Sequence, residues 1–453
     1  MLTRLRLHGF KNLLDVDVRF GPFTCVVGEN GVGKSNLFDA IRFLHLLMDV
    51  PIPEAVARLR ETHGRAIQPE ALFTAFGEFK ASEIRLVADM VVDRDVEDDF
   101  GARSKACISS VRYTVAFVPD ADEPGRLALA HEALEPVPSS TARTSLGFPA
   151  SSDFRTSAVF GKRAGGKAFM STREGTVHVH QEGRQGRNRH VPIGRTQLPI
   201  IQSATAEFPT LLAARREMQS WRTLMLEPSS MRAPSEYTGP RQIDERGGNL
   251  AGTLHRLRKK QGLRAESEVA NRLAELIPEV REVRVIDDAR FQTYTAEVKG
   301  PDGVFHPARA LSDGTLRFLV LSVLLADPEA RGTLCLEEPE NGIHPERIPS
   351  MVRLLRDLAV DAESGVDEDN PLRQVIVNTH SPLVFGHVET DDVVFVQSIE
   401  RIEAKNHGRI ACVRVPEKSW RARGADPKYD VVRPAKLLSW QQMQFDFDHA
   451  AAE

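Results

Sequence analysis

An α/β fold carrying an antiparallel β-rich lobe and a helical insertion is predicted, and three observations carry that expectation. Phe23-Thr24-Cys25-Val26-Val27 is a continuous apolar or β-forming run that passes through a glycine-rich loop into a helical pattern over Asn36–Met48. An unbroken run of this kind suits a strand covered on both faces. Between residues 80 and 200 the pattern changes to strand-like segments parted by Pro, Gly and Ser clusters, as antiparallel strands require. After Ser312 helix and strand alternate again: a helix, a strand at 333–336, a helix from Pro345 and a strand at 373–378.

The elements follow in order. Leu2, Leu5 and Leu7 alternate with Arg4 and Arg6, the signature of a half-buried strand; a turn at Gly9–Asn12 and a strand at Leu14–Phe20 come next. Glu83–Val92, Val111–Phe117 and Gly175–His180 read as strands of the β-rich lobe. Helical spacing returns over 205–225, Leu226–Pro234 reads as an irregular connector, and helices are expected near Gly248–Lys260 and Glu266–Leu276. Asp361–Asn370 is acidic and rich in breakers, hence a solvated loop, and residues 391–415 are expected to supply terminal strands. No heptad run is sustained, so no long coiled coil is expected.

The 453 residues exceed what one small core needs. We expect an N-terminal part at 1–80, a β-rich and helical insertion at 81–245, a C-terminal part at 246–400, and terminal strands and tail at 401–453. A net charge of −4 gives no global basic field for nucleic acid, so any such contact must come from local patches. Cys25, Cys107, Cys335 and Cys412 are far apart with no CxxC pair, which disfavours a disulfide framework and fits a reducing cytoplasm. No apolar run approaches the roughly 20 residues of a membrane span, and the N-terminal stretch does not resemble a signal peptide.

Gly28-Glu29-Asn30-Gly31-Val32-Gly33-Lys34-Ser35 fits G-x4-GK[ST] in the required strand–loop–helix setting. The glycines let successive backbone N–H groups turn inward toward phosphate oxygens, and the following helix adds its positive end. Lys34 would reach the β- and γ-phosphates and the Ser35 hydroxyl would ligate Mg²⁺; Asn30, Gly31, Gly33 and Asn36 complete the candidate contacts. Leu334-Cys335-Leu336-Glu337-Glu338 is an apolar strand ending in two acids, which a strand would aim to opposite sides. Glu337 would support the metal shell and Glu338 would orient or deprotonate the attacking water. The bland alternative is a strand followed by a solvated acidic turn.

The order of motifs resembles the ABC-type heads of the SMC, RecF and overcoming-lysogenization-defect ATPases. Gly9-Phe10-Lys11-Asn12 resembles the family's GFK/R-N element near the nucleotide, Ala310-Leu311-Ser312-Asp313-Gly314-Thr315 its signature, Pro339–Pro345 its D-loop, and Asn378-Thr379-His380-Ser381-Pro382 its switch-histidine motif. Leu226–Pro234 and Gly247–Leu250 resemble a bacterial subgroup of RecF-like ATPases. Two departures stand out: Glu337 replaces the usual Asp, and Asp313 replaces the first glycine of the signature, bringing a negative charge near a γ-phosphate unless it turns away or meets a cation.

The resemblance implies a P-loop NTPase head using ATP and Mg²⁺, with Lys11 and Asn12 near the nucleotide and His380 holding the γ-phosphate. It also implies a head-to-tail pair with a second copy, in which Ser312 and the backbone near Gly314 serve the neighbour's ATP. It further implies a sensor or scaffold for a separately encoded effector, a nuclease being the leading candidate, in bacterial antiphage defence. The alternative is a RecF-like factor acting on double-stranded DNA in repair. Of the remaining signals, Gln68 is a Q-loop candidate by distance, while His178, His180 and His190 read as a solvated strand rather than a metal site. Arg184–Arg189 and Arg256–Lys260 are candidate phosphate contacts, Leu437–Met443 a candidate docking tail, and Asp446–His449 a partner-binding or disordered end.

Overall fold

The computed structural model describes residues 1–59, 68–137, 146–161, 166–182, 188–194, 196–403, 405–423 and 430–432. Two large sheets organise them. The first has eight antiparallel strands in the order Arg189–Pro192, Thr176–Val179, Met170–Arg173, Leu127–Pro136, Ser110–Pro119, Ile84–Val91, Leu2–Phe10, Leu13–Arg19. The first two strands of the chain thus extend the sheet formed by the middle segment: Leu5 pairs with Val18 on one side and Ala88 on the other. Leu5 and Leu7 are buried whereas Arg4 and Arg6 lie at the half-exposed face, as period-two alternation requires.

The second sheet has seven strands, ordered Arg222–Leu224, Gly332–Glu337, Arg373–Thr379, Phe23–Val27, Val393–Glu403, Asn406–Pro416, Asp430–Val432. The first five run parallel, so their carboxyl ends meet along one edge. Phe23–Val27 is buried at every position, and so is Arg373–Thr379. Helix Lys34–Leu46 lies between the sheets, its Leu37, Phe38, Ile41 and Leu44 buried in the same core as Leu5, Leu7 and Val115. Phe43 meets Phe117 with ring centroids 5.6 Å apart.

A third unit of helices Leu250–Gln261 and Leu263–Leu276 packs with a small sheet built on Glu282–Asp288 and Thr293–Lys299. It shares a core with helices Asp313–Ala326 and Ile348–Leu358. The longest helices among the described residues have 14 residues, consistent with the expected lack of a long coiled coil. No described helix is long and apolar enough to cross a membrane.

Several elements depart from the sequence reading. Leu226–Pro234 is not wholly irregular: Pro228–Arg232 forms one helical turn begun by proline, whose fixed φ suits a first helical position. Helical spacing over 205–225 narrows to Pro209–Gln219, and Arg222–Leu224 instead becomes an edge strand. Leu127–Pro136 forms a strand although Leu-Ala-Leu-Ala-His-Glu-Ala-Leu is made of good helix formers; pairing with Ser110–Pro119 along its length overrides that preference.

Candidate nucleotide site

Three parallel strands deliver the site. Arg373–Thr379 lies between Phe23–Val27 and Gly332–Glu337, with Thr379 opposite Val27 and Asn378 opposite both Val26 and Glu337. The glycine-rich loop, the acid pair and the His380 turn therefore leave the sheet at the same edge, where open α/β sheets bind ligands.

The loop's glycines have separate physical causes. Gly28 has no room for a side chain, since a Cβ would come within 2.1 Å of the Val396 carbonyl. Gly33 has φ +113° and abuts the Asn12 carboxamide, where a Cβ would sit 2.6 Å from Oδ1. Asn12 in turn donates to the Val32 carbonyl at 3.1 Å and accepts from Asn36 at 2.8 Å, bracing the loop against the helix that follows. Asn30 and Gly31 stand exposed at the apex, and Ser35 is half-buried at the helix start. Lys11 is held by an ion pair to the buried Asp39 at 2.6 Å, which points its ammonium along the loop helix.

Lys34 is buried, and its Nζ donates to the carbonyls of Gly28 at 2.7 Å and Glu29 at 2.6 Å. Burial pulls its ammonium down to about 8, against the attraction of Glu338, Glu340 and Glu29. The lysine is thus a cation held by its own loop, with carbonyl partners that a phosphate can replace.

Glu338 adopts φ +44°, a left-handed conformation that a non-glycine residue holds only when its surroundings enforce it. Its N–H donates to the Asn378 carbonyl at 3.0 Å and to Asn378 Oδ1 at 3.1 Å, while Asn341 donates to its Oε2 at 2.9 Å. Its Oε1 lies 3.0 Å from His380 Nδ1. Behind them, Glu340 is buried and accepts a hydrogen bond from the Thr379 hydroxyl; burial pushes its carboxyl up, and Thr379 and His380 oppose this. The Ser35 hydroxyl and the Glu337 carboxylate are hard oxygen donors of the type Mg²⁺ takes, so the donor chemistry at this edge fits that ion.

A family model described as "AAA domain" matches residues 4–54, and one described as "AAA domain, putative AbiEii toxin, Type IV TA system" matches residues 181–386. The chromosome partition protein Smc of Rhodopseudomonas palustris is 57% identical over 44 residues, 9% of this chain and 4% of that protein. The DNA replication and repair protein RecF of Porphyromonas gingivalis is 44% identical over 45 residues, 10% of this chain and 12% of that protein. The matched stretches and the motifs within them are similar to those of the SMC/RecF-like ABC-type P-loop ATPases. The matched stretches span only a small part of these two relatives. Among solved structures, an Smc head bound to the C-winged helix domain of ScpA aligns over 91% of this chain and 97% of its own, at TM-score 0.49 and 14% identity. The SMC head domain of Thermotoga maritima aligns at TM-score 0.39 and 14% identity.

The signature-like segment caps a helix. Ser312 is the exposed N-cap of Asp313–Ala326, its Oγ accepting from the Thr315 N–H at 3.2 Å. Ser312, Gly314 and Thr315 line a surface depression with Gly342 and His344 of the D-loop, and none of residues 28–35 takes part in it. Asp313 does meet a cation: Arg232 Nη2 lies 2.5 Å from its Oδ1 and also donates to the Leu311 carbonyl at 3.0 Å. The short helix Pro228–Arg232 thereby answers the charge that the signature introduces.

Sequence reasoning missed the supporting residues Arg232, Asp39, Glu340 and Thr379. Arg232, Glu340 and Thr379 stand inside the family-like segments Leu226–Pro234, Pro339–Pro345 and Asn378–Pro382, without a role of their own in the pattern; Asp39 left no signal. Gln68 is exposed before the short turn Pro69–Leu72, and nothing ties it to the site. The cations at 256–260 are largely engaged within the chain: Arg256 pairs with Asp327 and Glu329, Arg258 with Glu266, and Lys260 with Glu329. Of Arg184–Arg189, residues 184–187 lie outside the described residues, as do Leu437–Met443 and Asp446–His449; Arg189 donates to Ser203 at 3.1 Å. His178 and His190 face each other across paired strands, and no group of three metal-ligating side chains occurs among the described residues.

Proposed function

We propose that the protein binds and hydrolyses ATP, that ATP joins two copies head to tail, and that this cycle gates a separately encoded effector in bacterial antiphage defence. The observation that carries hydrolysis is the convergence of Lys34, Glu338 and His380 at one sheet edge, with Glu338 aimed by Asn341, Asn378 and His380. Lys34 would release its loop carbonyls and bind the β- and γ-phosphates. Glu338 would take a proton from water as the water oxygen bonds to the γ-phosphorus and the bond to the ADP oxygen breaks, that oxygen leaving with the electron pair. Held by Ser35 and Glu337, Mg²⁺ would neutralise phosphate charge.

Head-to-tail pairing is supported by the signature depression, which holds Ser312 and Gly314 apart from the chain's own loop, where a second copy's nucleotide would meet them. The defence reading is supported by the AbiEii toxin description of the family model, and the proposed effector is a cytoplasmic nuclease, as the motif resemblance implies. The repair reading draws support from the RecF match and loses it from the internally paired cations at 256–260.

The test mixes two inactive proteins. Lys34→Ala and Ser312→Arg should each lack turnover alone, and their mixture should regain about a quarter of wild-type activity if sites are shared between copies. A mixture as dead as its components overturns the head-to-tail arrangement. A wild-type protein without ATP turnover overturns the enzymatic reading. Turnover stimulated by duplex DNA and steeply lost with salt would favour the repair reading.

A further inference from the structure

We infer that Glu340 is a positioning residue, acting through the Thr379 hydroxyl to fix the turn that carries His380. The inference rests on the nucleotide-site reading above. Glu340 lies two residues past Glu338 and is 8% exposed, an unusual place for a carboxylate unless something requires it. It is not a solvated acid of a surface turn, because its Oε1 takes the hydrogen bond of the Thr379 hydroxyl and its Oε2 is buried without a partner among the described residues.

Thr379 is itself fully buried, the last residue of the strand that ends at His380. Its Oγ1 donates toward Glu340 and accepts from the Ser381 N–H at 2.9 Å. One hydroxyl therefore ties the residue before His380 to the residue after it, and Glu340 orients that hydroxyl by taking its only proton. With the proton committed, a lone pair is left facing Ser381, and the backbone on both sides of His380 is set. This is what His380 needs in order to present Nδ1 3.0 Å from Glu338. Burying a charge for this purpose is costly, and a threonine hydroxyl alone could rotate away; the carboxylate removes that freedom.

The consequence is a division of labour within Glu337–Glu340. Glu337 and Glu338 stand at the strand end, whereas Glu340 is buried behind them and acts through Thr379. Its effect should fall on turnover, which depends on the aim of His380 and Glu338, and not on nucleotide affinity, which depends on the glycine-rich loop.

The experiment compares near-isosteric variants in full-length protein, reading kcat, the affinity for a non-hydrolysable ATP analogue, and thermal unfolding. Thr379→Val keeps the shape and β-branching but loses the hydroxyl; Thr379→Ser keeps the hydroxyl. We expect Thr379→Val to lower kcat about tenfold, the worth of one oriented hydrogen bond, with analogue affinity within about twofold of wild type. Thr379→Ser and Glu340→Gln, which preserve donor and acceptor, should stay within about threefold of wild-type kcat. Glu340→Ala combined with Thr379→Val should be no slower than the worse single variant, because both break one chain of contacts. The inference is overturned if Thr379→Val turns over normally, if Thr379→Ser is as slow as Thr379→Val, or if kcat falls only together with affinity and melting temperature. Failure of the underlying reading is distinguishable: there, the wild type would not hydrolyse ATP, or Lys34→Ala would hydrolyse it as fast.

Discussion

Gly33→Ala probes whether the GFK/R-N element and the glycine-rich loop are one device. An alanine here must hold φ near +113°, which costs about 1–2 kcal/mol for a residue with a Cβ. Its methyl would lie 2.6 and 2.7 Å from Asn12 Oδ1 and Nδ2 and 3.0 Å from Ala411 Cβ, so the carboxamide has to move. Moving it breaks the bonds to Val32 at 3.1 Å and Asn36 at 2.8 Å, about 1 kcal/mol each. The sum is about 3–4 kcal/mol. If the loop relaxes out of its phosphate-binding shape, nucleotide affinity should fall on the order of 100-fold to 1,000-fold. Titration with a fluorescent ATP analogue measures this, with urea denaturation alongside to show how much of the cost falls on folding instead. Asn12→Ala alone should cost about 2 kcal/mol for its two lost bonds, and the double variant about the same as Gly33→Ala alone, a coupling of about 2 kcal/mol. Strict additivity, or a Gly33→Ala protein that binds within threefold of wild type and is equally stable, would refute the account.

Three further predictions concern charge. Lys34 stands at about 8 in the free protein, so apparent ATP affinity should be constant below that pH and weaken as pH rises through it, by about tenfold at one unit above; a flat binding profile to pH 9 would contradict this. Glu132 is fully buried, accepts from Tyr113 Oη and from the N–H groups of Ile200 and Ile201, and is raised by burial to about 7. Because that value lies above the ordinary 4.5, the native state keeps the proton longer, so this group's contribution to stability falls as pH rises from about 4.5 to about 7 and is level above. Glu132→Ala, which strands three buried donors, should cost about 3–5 kcal/mol in urea denaturation at pH 5.5, and a loss under 1 kcal/mol would be inconsistent with it. Arg232→Ala should change folding stability by less than about 1 kcal/mol, since the pair with Asp313 is partly exposed, yet weaken ATP-driven pairing of heads. Adding Asp313→Gly should restore pairing, as light scattering can report.

What was legible in the sequence was chemistry with fixed spacing. The glycine-rich loop, the two acids and His380 could be named from their patterns, because each depends on contiguous residues at a strand end. Leu2–Phe10 was equally readable, since one face of it is wet and alternation follows. Leu127–Pro136 was not, because its helix-forming residues become a strand only through pairing with Ser110–Pro119. The supports of the site were hidden for a related reason. Nothing local to Asp39 announces that it meets Lys11, and nothing local to Arg232 announces that it meets Asp313, 81 residues away. The surface depression around Ser312 and Gly342 likewise exists only after the signature helix and the D-loop have been folded against each other.

The strand Phe23–Val27 is made long before both of its neighbours in the sheet, Arg373–Thr379 and Val393–Glu403. A nascent chain must therefore carry an unpaired ribbon, apolar but for Thr24, until those neighbours are made, with the eight-stranded sheet as its available shelter. Fragments truncated before residue 373 should be unable to retain nucleotide even though they contain the whole glycine-rich loop. Synthesis of residues 373–403 is thus itself a licence for the binding site, and a product that stops short of them is denied occupancy.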